Sequence, residues 1–490
     1  MFALPPPREL RADRSHPSPP GIDYVTMVTT RGAGKAGKNR RRRLYPFSPF
    51  RVAPKLVLPL VLIIVGGCRR TSQKPVTVTF LDVEWEASDE LPGLGQDLQA
   101  FTRETGIQIK RLPAPDSSLK QLALWQQLLQ KGDATPDVYG IDVIWAGILN
   151  QYLMDLKPAF AADLASEDPA VVAAYTVDGK LVAMPRHAYI GTLLYRSDLL
   201  ERYGFREPPK TWDELERMAS RIQTGERARG EKDFWGYVWP GGIDEDLTCV
   251  GLEWQVSEGG GRIIEDDKTI TVNNPRTVMT WQRAKRWMGT ISPPGLIVYA
   301  KWDSDNLWDK GKTVFSHGWV SDYSLIASHP LPAGATRFGV SSLPAGKSGR
   351  FGTLGGNGLA VSRNSGHPKE ALELIKFLRR RDVEFVRATE NATLPKGQDL
   401  FELPNVLRLY PHLKLRENGG GVVARPSIVV RPKYEAVTRA YIGTLRSVLT
   451  GEKSAETAAA ALEKELVEIT GFKPGLPKAG SLTSALKKNP

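Results

Sequence analysis

Strand-like and helix-like segments alternate along this chain from residue 75 onward, and that order limits its fold more than any other feature. Pro75–Leu81 is short and rich in β-branched residues, which predicts a strand, and Gly95–Thr105 has a helical pattern. We predict a second strand over Gly106–Lys110, a second helix over Leu119–Gln130 and a third strand over Asp137–Ile144. The order β-α-β-α-β predicts an α/β fold with a largely parallel sheet covered by helices.

Later segments carry start signals for further helices. Thr211 and Glu214 have the spacing of a capping box, and Pro275 after Asn274 suits the first position of a helix. Ser454–Ile469 has the spacing of an amphipathic helix that closes the fold. The alternating pattern therefore extends to the C-terminal part of the chain.

Length and charge narrow the class of protein. The 490 residues are enough for two lobes or more, and the formal net charge is +12. Residues 1–67 hold 12 Lys/Arg against 3 Asp/Glu, whereas the remaining residues hold 54 against 51. Because the positive charge is concentrated at the N-terminus, we expect no nucleic-acid partner.

The N-terminal segment has the layout of an export signal. A basic stretch over Lys38–Arg43 precedes a short apolar run, Leu56–Val65, and the small residues Gly66 and Gly67 before Cys68. The run is too short to span a bilayer unaided. Its ending resembles a bacterial lipobox, which implies that Cys68 is acylated and anchors the protein to a membrane. A buried strand ending in a turn is the alternative.

Two further interpretations concern this region. Residues 1–26 are Pro-rich and lack periodicity, so Met27 is a candidate for the natural start and residues 1–26 for a start-site overcall. Cys249 is the second of two cysteines, and a Cys68–Cys249 disulfide stays open as an alternative to lipidation.

Several ordered motifs resemble the extracellular solute-binding proteins of sugar ABC transporters, of the maltose/trehalose-binding type. The motifs are Thr135–Gly147, Leu194–Leu200, Pro208–Leu215, Gly355–Ser362 and Arg425–Ser427. The resemblance covers nearly all of residues 75–472. It implies a type II periplasmic-binding-protein fold, with two discontinuous lobes joined by about three hinge crossings and a ligand cleft between them.

The resemblance also implies a domain layout. Residues 1–67 would be the targeting segment and 68–74 a tether. The N-terminal lobe would comprise 75–183 plus 355–405, and the C-terminal lobe 190–350 plus 425–475. Residues 476–490 would form a tail.

Sugar rings pair with aromatic faces, and their hydroxyls pair with carboxylates, amides and arginines. By resemblance and residue type, we predict these ligand-binding side chains: Glu84, Trp85, Glu86, Asp142, Trp145, Arg186, His187, Tyr189, Trp319, Tyr323, Asn357 and Arg425. Alternatives stay open for several of them. Asp142 could instead cap a helix, Trp145 could pack in the core, and Arg425 could form an interlobe salt bridge.

Two positions depart from the family pattern. Tyr189 stands near the place where the family often has an acid, and Asn357 stands where it often has a Trp. These departures put maltose or trehalose itself in doubt. Arg186 and His187 could instead favour an acidic or modified sugar, or could simply flank the hinge.

The resemblance implies a substrate-binding lipoprotein of an ABC importer, exported to the periplasmic or outer face of a bacterial membrane. We expect a sugar or oligosaccharide ligand, ABC permease subunits as partners, a monomer, and no cofactor or metal. No zinc-protease motif or nucleophile elbow occurs, so we expect no enzyme. The alternatives are a lipid-anchored enzyme that cleaves glycosides with Glu84, Glu86 or Asp142, and a catalytically silent surface scaffold.

Overall fold

The computed structural model describes residues 75–83, 93–115, 118–320, 322, 331–390, 400, 403–409 and 421–477. The predicted signal segment with Cys68 lies outside these residues, as do the candidate ligand residues Glu84, Trp85, Glu86 and Tyr323. Within the described part of the chain, no helix combines the length and the apolar character that crossing a membrane would need.

Thirteen strands are defined within the described residues. They are β1 (Thr77–Leu81), β2 (Gln108–Leu112), β3 (Val138–Asp142), β4 (Thr176–Val177), β5 (Lys180–Leu181), β6 (Met184–Tyr195), β7 (Trp235–Val238), β8 (Thr269–Ile270), β9 (Thr313–Trp319), β10 (Gly339–Ser342), β11 (Phe351–Val361), β12 (Gly421–Val423) and β13 (Lys473–Pro474).

The α-helices of the described residues are mostly short. They are α1 (Gly93–Thr105), α2 (Ser118–Lys131), α3 (Ala146–Leu149), α4 (Lys157–Phe160), α5 (Pro169–Ala174), α6 (Ser197–Arg202), α7 (Trp212–Ala228), α8 (Glu245–Ser257), α9 (Pro275–Trp287), α10 (Lys301–Asp309), α11 (Pro368–Leu378), α12 (Arg381–Glu390), α13 (Pro404–Leu409), α14 (Ser427–Val430), α15 (Tyr434–Leu449) and α16 (Ala455–Thr470).

The main sheet has the strand order β2-β1-β3-β11-β6-β9-β7, with β12 beside β11 and β10 beside β6. The strands β1, β2 and β3 run parallel, as the sequence predicts, but β11 is antiparallel to both β3 and β6. The prediction of a largely parallel sheet is therefore wrong at the centre. The reason is that β6 and β11 are long strands that run in opposite directions past one another.

These two long strands link two groups of shorter strands. Strand β11 pairs with β3 through its residues Asn357 to Val361, whereas β6 pairs with β9 through its residues Gly191 to Tyr195. One group, β1 to β3, thus pairs at one end of the β6–β11 pair, and the other, β7, β9 and β10, pairs at the opposite end. The lobe boundaries predicted from the sequence stay a prediction.

The predicted helix starts correspond to caps in the structure. Thr211 accepts a hydrogen bond from the backbone N–H of Glu214 at 3.2 Å, while the Glu214 carboxylate accepts from the N–H of Lys210 at 2.7 Å. Asn274 accepts hydrogen bonds from the N–H groups of Arg276 and Thr277 ahead of α9. These side chains satisfy N–H groups that a helix leaves without partners at its start.

Tryptophan is mainly a core residue in this chain. Among the residues that the structure describes, seven Trp side chains are less than 2% exposed: Trp125, Trp145, Trp212, Trp239, Trp254, Trp281 and Trp308. Trp239 and Trp254 meet edge to face, with ring centroids 4.8 Å apart. The abundance of Trp in the sequence therefore reflects packing, since rings in such contacts stabilise a core.

Candidate functional site

Strands from the two groups end against the middle of the β6–β11 pair. β3 ends at Asp142, which lies opposite Asn357 of β11, and β9 ends at Trp319, which lies opposite Gly191 of β6. Sites in α/β sheets lie beyond the carboxyl ends of strands. We define six side chains in this region as the carboxyl-end cluster: Asp142, Tyr189, Glu245, Asp246, Trp319 and Arg425.

Trp319 owes its position to a glycine. A Cβ at Gly355 of β11 would lie 3.0 Å from the Trp319 ring, so the absence of a side chain there lets the indole approach the backbone. The backbone N–H of Trp319 donates to a carboxylate oxygen of Asp322 at 2.9 Å, and Lys301 pairs with the same carboxylate at 3.1 Å. The indole itself is partly exposed.

The next glycine shapes the crossing itself. Gly356 has a φ of +128°, and a Cβ there would lie 2.1 Å from the carbonyl oxygen of His187. Only glycine adopts this backbone conformation without strain. A side chain at Gly356 would therefore strain β11 next to the point, between Asn357 and Gly358, where its pairing with β6 shifts register.

Arg425 connects side chains from the two groups. Its guanidinium donates to Glu245 of α8 at 3.1 Å and to the carbonyl oxygen of Leu354 at 3.2 Å, and it lies 4.0 Å from Asp142. The hydroxyls of Tyr434 and Thr438 also donate to Glu245. Arg425 therefore forms a salt bridge with Glu245 and approaches Asp142. That this pairing joins the two lobes stays a prediction.

Asp142 also caps a short helix, as its alternative interpretation allowed. Its carboxylate accepts a hydrogen bond from the Ile144 N–H at 3.0 Å, and this starts the 3₁₀ turn Val143–Trp145. Strand β3 therefore ends at Asp142 rather than at Ile144. Burial raises the pKa of Asp142, and the charge of Arg425 opposes that shift.

Four other predicted ligand residues are buried. Trp145 is 1% exposed and meets Trp125 at 6.0 Å, so the structure favours its core-packing alternative. Asn357 is fully buried between Asp142 and His187 in the sheet, and His187 stacks on Tyr189 with centroids 6.0 Å apart. Of the His187–Tyr189 pair, Tyr189 is the more exposed.

Arg186, the fourth, is not placed to attract an acidic sugar. Its guanidinium is 2% exposed and donates to the Asp82 carboxylate at 2.7 Å. Gly140 makes room for this pair, because a Cβ there would lie 2.2 Å from an Asp82 oxygen. The charge of Arg186 is therefore already matched by a carboxylate that sequence reasoning passed over.

The acidic residues at the start of α8 were also missed. Asp244 caps the helix by accepting from the Glu245 N–H at 2.7 Å, and Glu245 holds Arg425. Burial raises the pKa of Glu245, and the pKa of Asp246 is raised to about 6 by burial and by the charge of Asp244. The sequence signal was available, since three consecutive acids follow the end of strand β7 and the pair Gly241–Gly242.

The side chains of this region can also be compared with the arrangement that a metal ion needs. Among the residues that the structure describes, no group of three or more His, Cys, Asp or Glu side chains is placed to hold a metal ion. Asp142 and Glu245 of the cluster instead face Arg425, and Glu245 also accepts from hydroxyl groups. Such an arrangement can bind hydroxyl groups, because charged acceptors and donors make the stronger hydrogen bonds.

Sequence comparisons give one consistent family. The profile of the bacterial extracellular solute-binding proteins matches residues 98–384. A Deinococcus radiodurans protein named "Probable ABC transporter-binding protein" is 38% identical over 400 residues, which cover 81% of this chain and 94% of that protein.

Solved structures agree with the sequence matches. A maltose-bound MalE3 protein of T. maritima is 29% identical with a TM-score of 0.72, covering 80% of this chain and 100% of that chain. An ABC transporter solute-binding protein of Agrobacterium radiobacter, in complex with ribitol, is 22% identical with a TM-score of 0.66, covering 81% and 100%. These likenesses confirm the predicted α/β fold with two lobes.

Proposed function

Because this chain belongs to the bacterial extracellular solute-binding proteins of ABC transporters, we propose that it captures a sugar or polyol between its lobes and delivers it to a permease. Proteins of this family bind substrates and are not enzymes, which argues against glycoside cleavage by Glu84, Glu86 or Asp142. The observation that carries the proposal is the carboxyl-end cluster, where the Trp319 ring packs over Gly355 and Arg425 donates to the carbonyl oxygen of the preceding residue, Leu354.

The side chains of the cluster suit a polyhydroxylated ligand. Trp319 and Tyr189 offer aromatic faces for the C–H surface of a sugar ring, and Asp142 and Arg425 offer charged partners for hydroxyls. The related MalE3 protein was solved with maltose bound, and its identity to this chain is 29%. We therefore propose Asp142, Tyr189, Trp319 and Arg425 as ligand contacts.

Lobe closure would bring these side chains together around the ligand. We propose lobes that correspond to the boundaries predicted from the sequence, with the crossings at β6, at β11 and near Arg425. Ligand binding shifts such an equilibrium only through a difference in affinity between the open and closed states. Arg425 supports this role because its partners Asp142 and Glu245 lie on opposite sides of the crossing.

The anchor is a separate part of the proposal. Exported location follows from the family, and the lipid at Cys68 is supported by the basic and apolar segments that precede it. Labelling with a radioactive fatty acid should mark the wild-type protein and not a Cys68→Ser variant. Label retained by the variant would contradict the anchor without affecting ligand capture.

The binding proposal is tested by calorimetry on the mature chain with neutral sugars and polyols, including maltose and ribitol. Trp319→Ala should weaken binding of the best ligand tenfold or more, about 1.4 kcal/mol, without unfolding the protein. Trp302→Ala is the matched control, because this indole on α10 is 81% exposed and lies outside the cluster. Equal affinities of both variants and the wild type would remove Trp319 from the site.

A further inference from the structure

Among the described residues, Asp246 is a carboxylate with no hydrogen-bond or ion-pair partner. It lies in the first turn of α8, directly after Glu245, and its side chain is only partly exposed. Among the described residues it makes no hydrogen bond or ion pair, unlike Asp142, Glu245 and Asp322. A half-buried ionised group without a partner is costly, so such a group needs an explanation.

Helix capping does not explain it. Asp244 already accepts the hydrogen bond that caps α8, from the Glu245 N–H at 2.7 Å. Favourable interaction of an acid with a helix start is worth at most about 1 kcal/mol at an exposed site. Burial and the neighbouring Asp244 instead raise the pKa of Asp246 to about 6, which shows that the protein disfavours the ionised form.

The surroundings of Asp246 are those of the carboxyl-end cluster. Asp246 directly follows Glu245, which binds Arg425, and the Gly242 N–H before them donates to the Tyr299 carbonyl at 2.8 Å, just ahead of α10. Lys301, the first residue of α10, pairs with Asp322, and the same carboxylate accepts from the Trp319 backbone N–H. The first turn of α8 therefore lies between Arg425 and the α10 start that is tied to the end of β9 at Trp319.

The cations of this region are already matched. Arg425 pairs with Glu245 and lies near Asp142. Lys301 pairs with Asp305 and Asp322. The two cations therefore face four carboxylates, more than they can neutralise. Arg186 forms a salt bridge with Asp82. The excess charge of the described cluster is negative, and Asp246 is the member that no cation pairs.

Two buried groups in the same region lack hydrogen-bond partners. The Arg425 side chain is 4% exposed, and its Nε has no acceptor. The Tyr175 hydroxyl is buried without a partner, and after burial the charges of Asp142 and Tyr189 are the main causes of its raised pKa. A ligand rich in hydroxyls would offer both groups a partner, as it would Asp246.

We infer that Asp246 is a specificity residue which accepts hydrogen bonds from ligand hydroxyls and excludes sugars and polyols that carry an acidic group. This inference rests on the proposed function and names its ligand class. Hydroxyl groups donate to a carboxylate, whereas a second carboxylate at the same place would meet uncompensated like charge. The cleft would therefore reject uronic and aldonic acids of the sugars that it accepts.

The test compares neutral compounds with their acidic counterparts by calorimetry: glucose with glucuronate, maltose with maltobionate, and ribitol with ribonate. The wild type should bind the neutral member of an accepted pair at least tenfold more tightly. Asp246→Lys should reduce that ratio tenfold or more, and the nearly isosteric Asp246→Asn should reduce it by a smaller factor while keeping the fold.

Asp233→Lys is the matched control, because this exposed aspartate precedes β7 at the end of the strand away from α8. It changes the net charge as Asp246→Lys does, and its ratio should equal that of the wild type. Equal binding of neutral and acidic members by the wild type overturns the inference alone. An unchanged ratio in both Asp246 variants also overturns it. Binding of no sugar or polyol at all overturns the proposed function and, with it, the inference.

Discussion

The two ends of strand β3 carry one aspartate each, and their surroundings differ. Just before the strand, Asp137 is fully buried and accepts hydrogen bonds from the Thr79 N–H at 2.8 Å, the Thr79 hydroxyl at 2.6 Å and the Ser365 hydroxyl at 2.6 Å. At the other end, Asp142 keeps 18% of its side chain exposed and accepts from the Ile144 N–H.

The pKa values of the two carboxyls are shifted in opposite directions by these surroundings. Burial would raise the pKa of Asp137, but the hydrogen bonds from Ser365 and Thr79 outweigh it and leave the pKa below its ordinary value. Burial raises the pKa of Asp142, since fewer donors reach it. The amino end of β3 thus satisfies its carboxylate within the protein, while the carboxyl end retains acceptor capacity that a ligand can use.

The largest expected effect comes from Asp137→Ala. The substitution removes charged hydrogen bonds that join β1 to the segment after β11, and it leaves the Thr79 N–H buried without this acceptor. We expect a loss of about 3 kcal/mol or more in the free energy of unfolding, measured by urea titration. Ligand affinity of the folded protein should stay within about twofold, which is near 0.4 kcal/mol.

Asp137→Asn is the control for shape, because the amide keeps one acceptor oxygen in place. It should lose less stability than Asp137→Ala. A loss below about 1 kcal/mol for Asp137→Ala would mean that this carboxylate does not hold the strand ends together, and the contrast with Asp142 would fail.

The next largest effect is expected for Asp142→Asn, and it is an effect on ligand affinity rather than on stability. Ligand affinity should fall tenfold or more, about 1.4 kcal/mol, because an amide is a weaker acceptor for hydroxyls than a carboxylate. The free energy of unfolding should change by no more than about 1 kcal/mol, as one capping bond is at stake. Unchanged affinity with reduced stability would instead make Asp142 a helix cap alone.

The sequence was sufficient to predict the alternation of strands and helices, because hydrophobic spacing and caps such as Thr211 and Asn274 act locally. It could not predict the antiparallel centre of the sheet. The directions of β6 and β11 depend on how the two long strands pass one another, and hydrophobic spacing reports only that each is a strand.

Tryptophans show why site residues are harder to predict. Trp319 ends β9 and Trp145 ends the 3₁₀ turn that follows β3, yet Trp125 covers Trp145 whereas Trp319, packed over Gly355, stays partly exposed. The environment of each ring is set by residues distant in sequence. The three consecutive acids Asp244 to Asp246 were visible in the sequence, but only the fold brings Glu245 to Arg425, which lies 180 residues away in the chain.

The smallest expected effect is a difference in pH dependence between the two aspartates. The folded pKa of Asp137 lies below its ordinary value of 3.8, so its stabilisation is present above that value and is lost as pH falls through the folded pKa. The folded pKa of Asp142 lies above 3.8, so its contribution is present below that value and is lost as pH rises through the folded pKa.

Urea unfolding between pH 3 and pH 6 separates these contributions, with pH values chosen to bracket the ordinary aspartate pKa of about 3.9. The stability advantage of the wild type over Asp137→Asn should grow as pH rises, whereas its advantage over Asp142→Asn should shrink. His367 lies 3.4 Å from Asp137, so the first comparison is repeated in a His367→Gln background to isolate the carboxylate. Parallel pH dependence of the two differences would show that both ends of β3 hold their carboxylates alike, because a group titrates in the folded state according to its own surroundings.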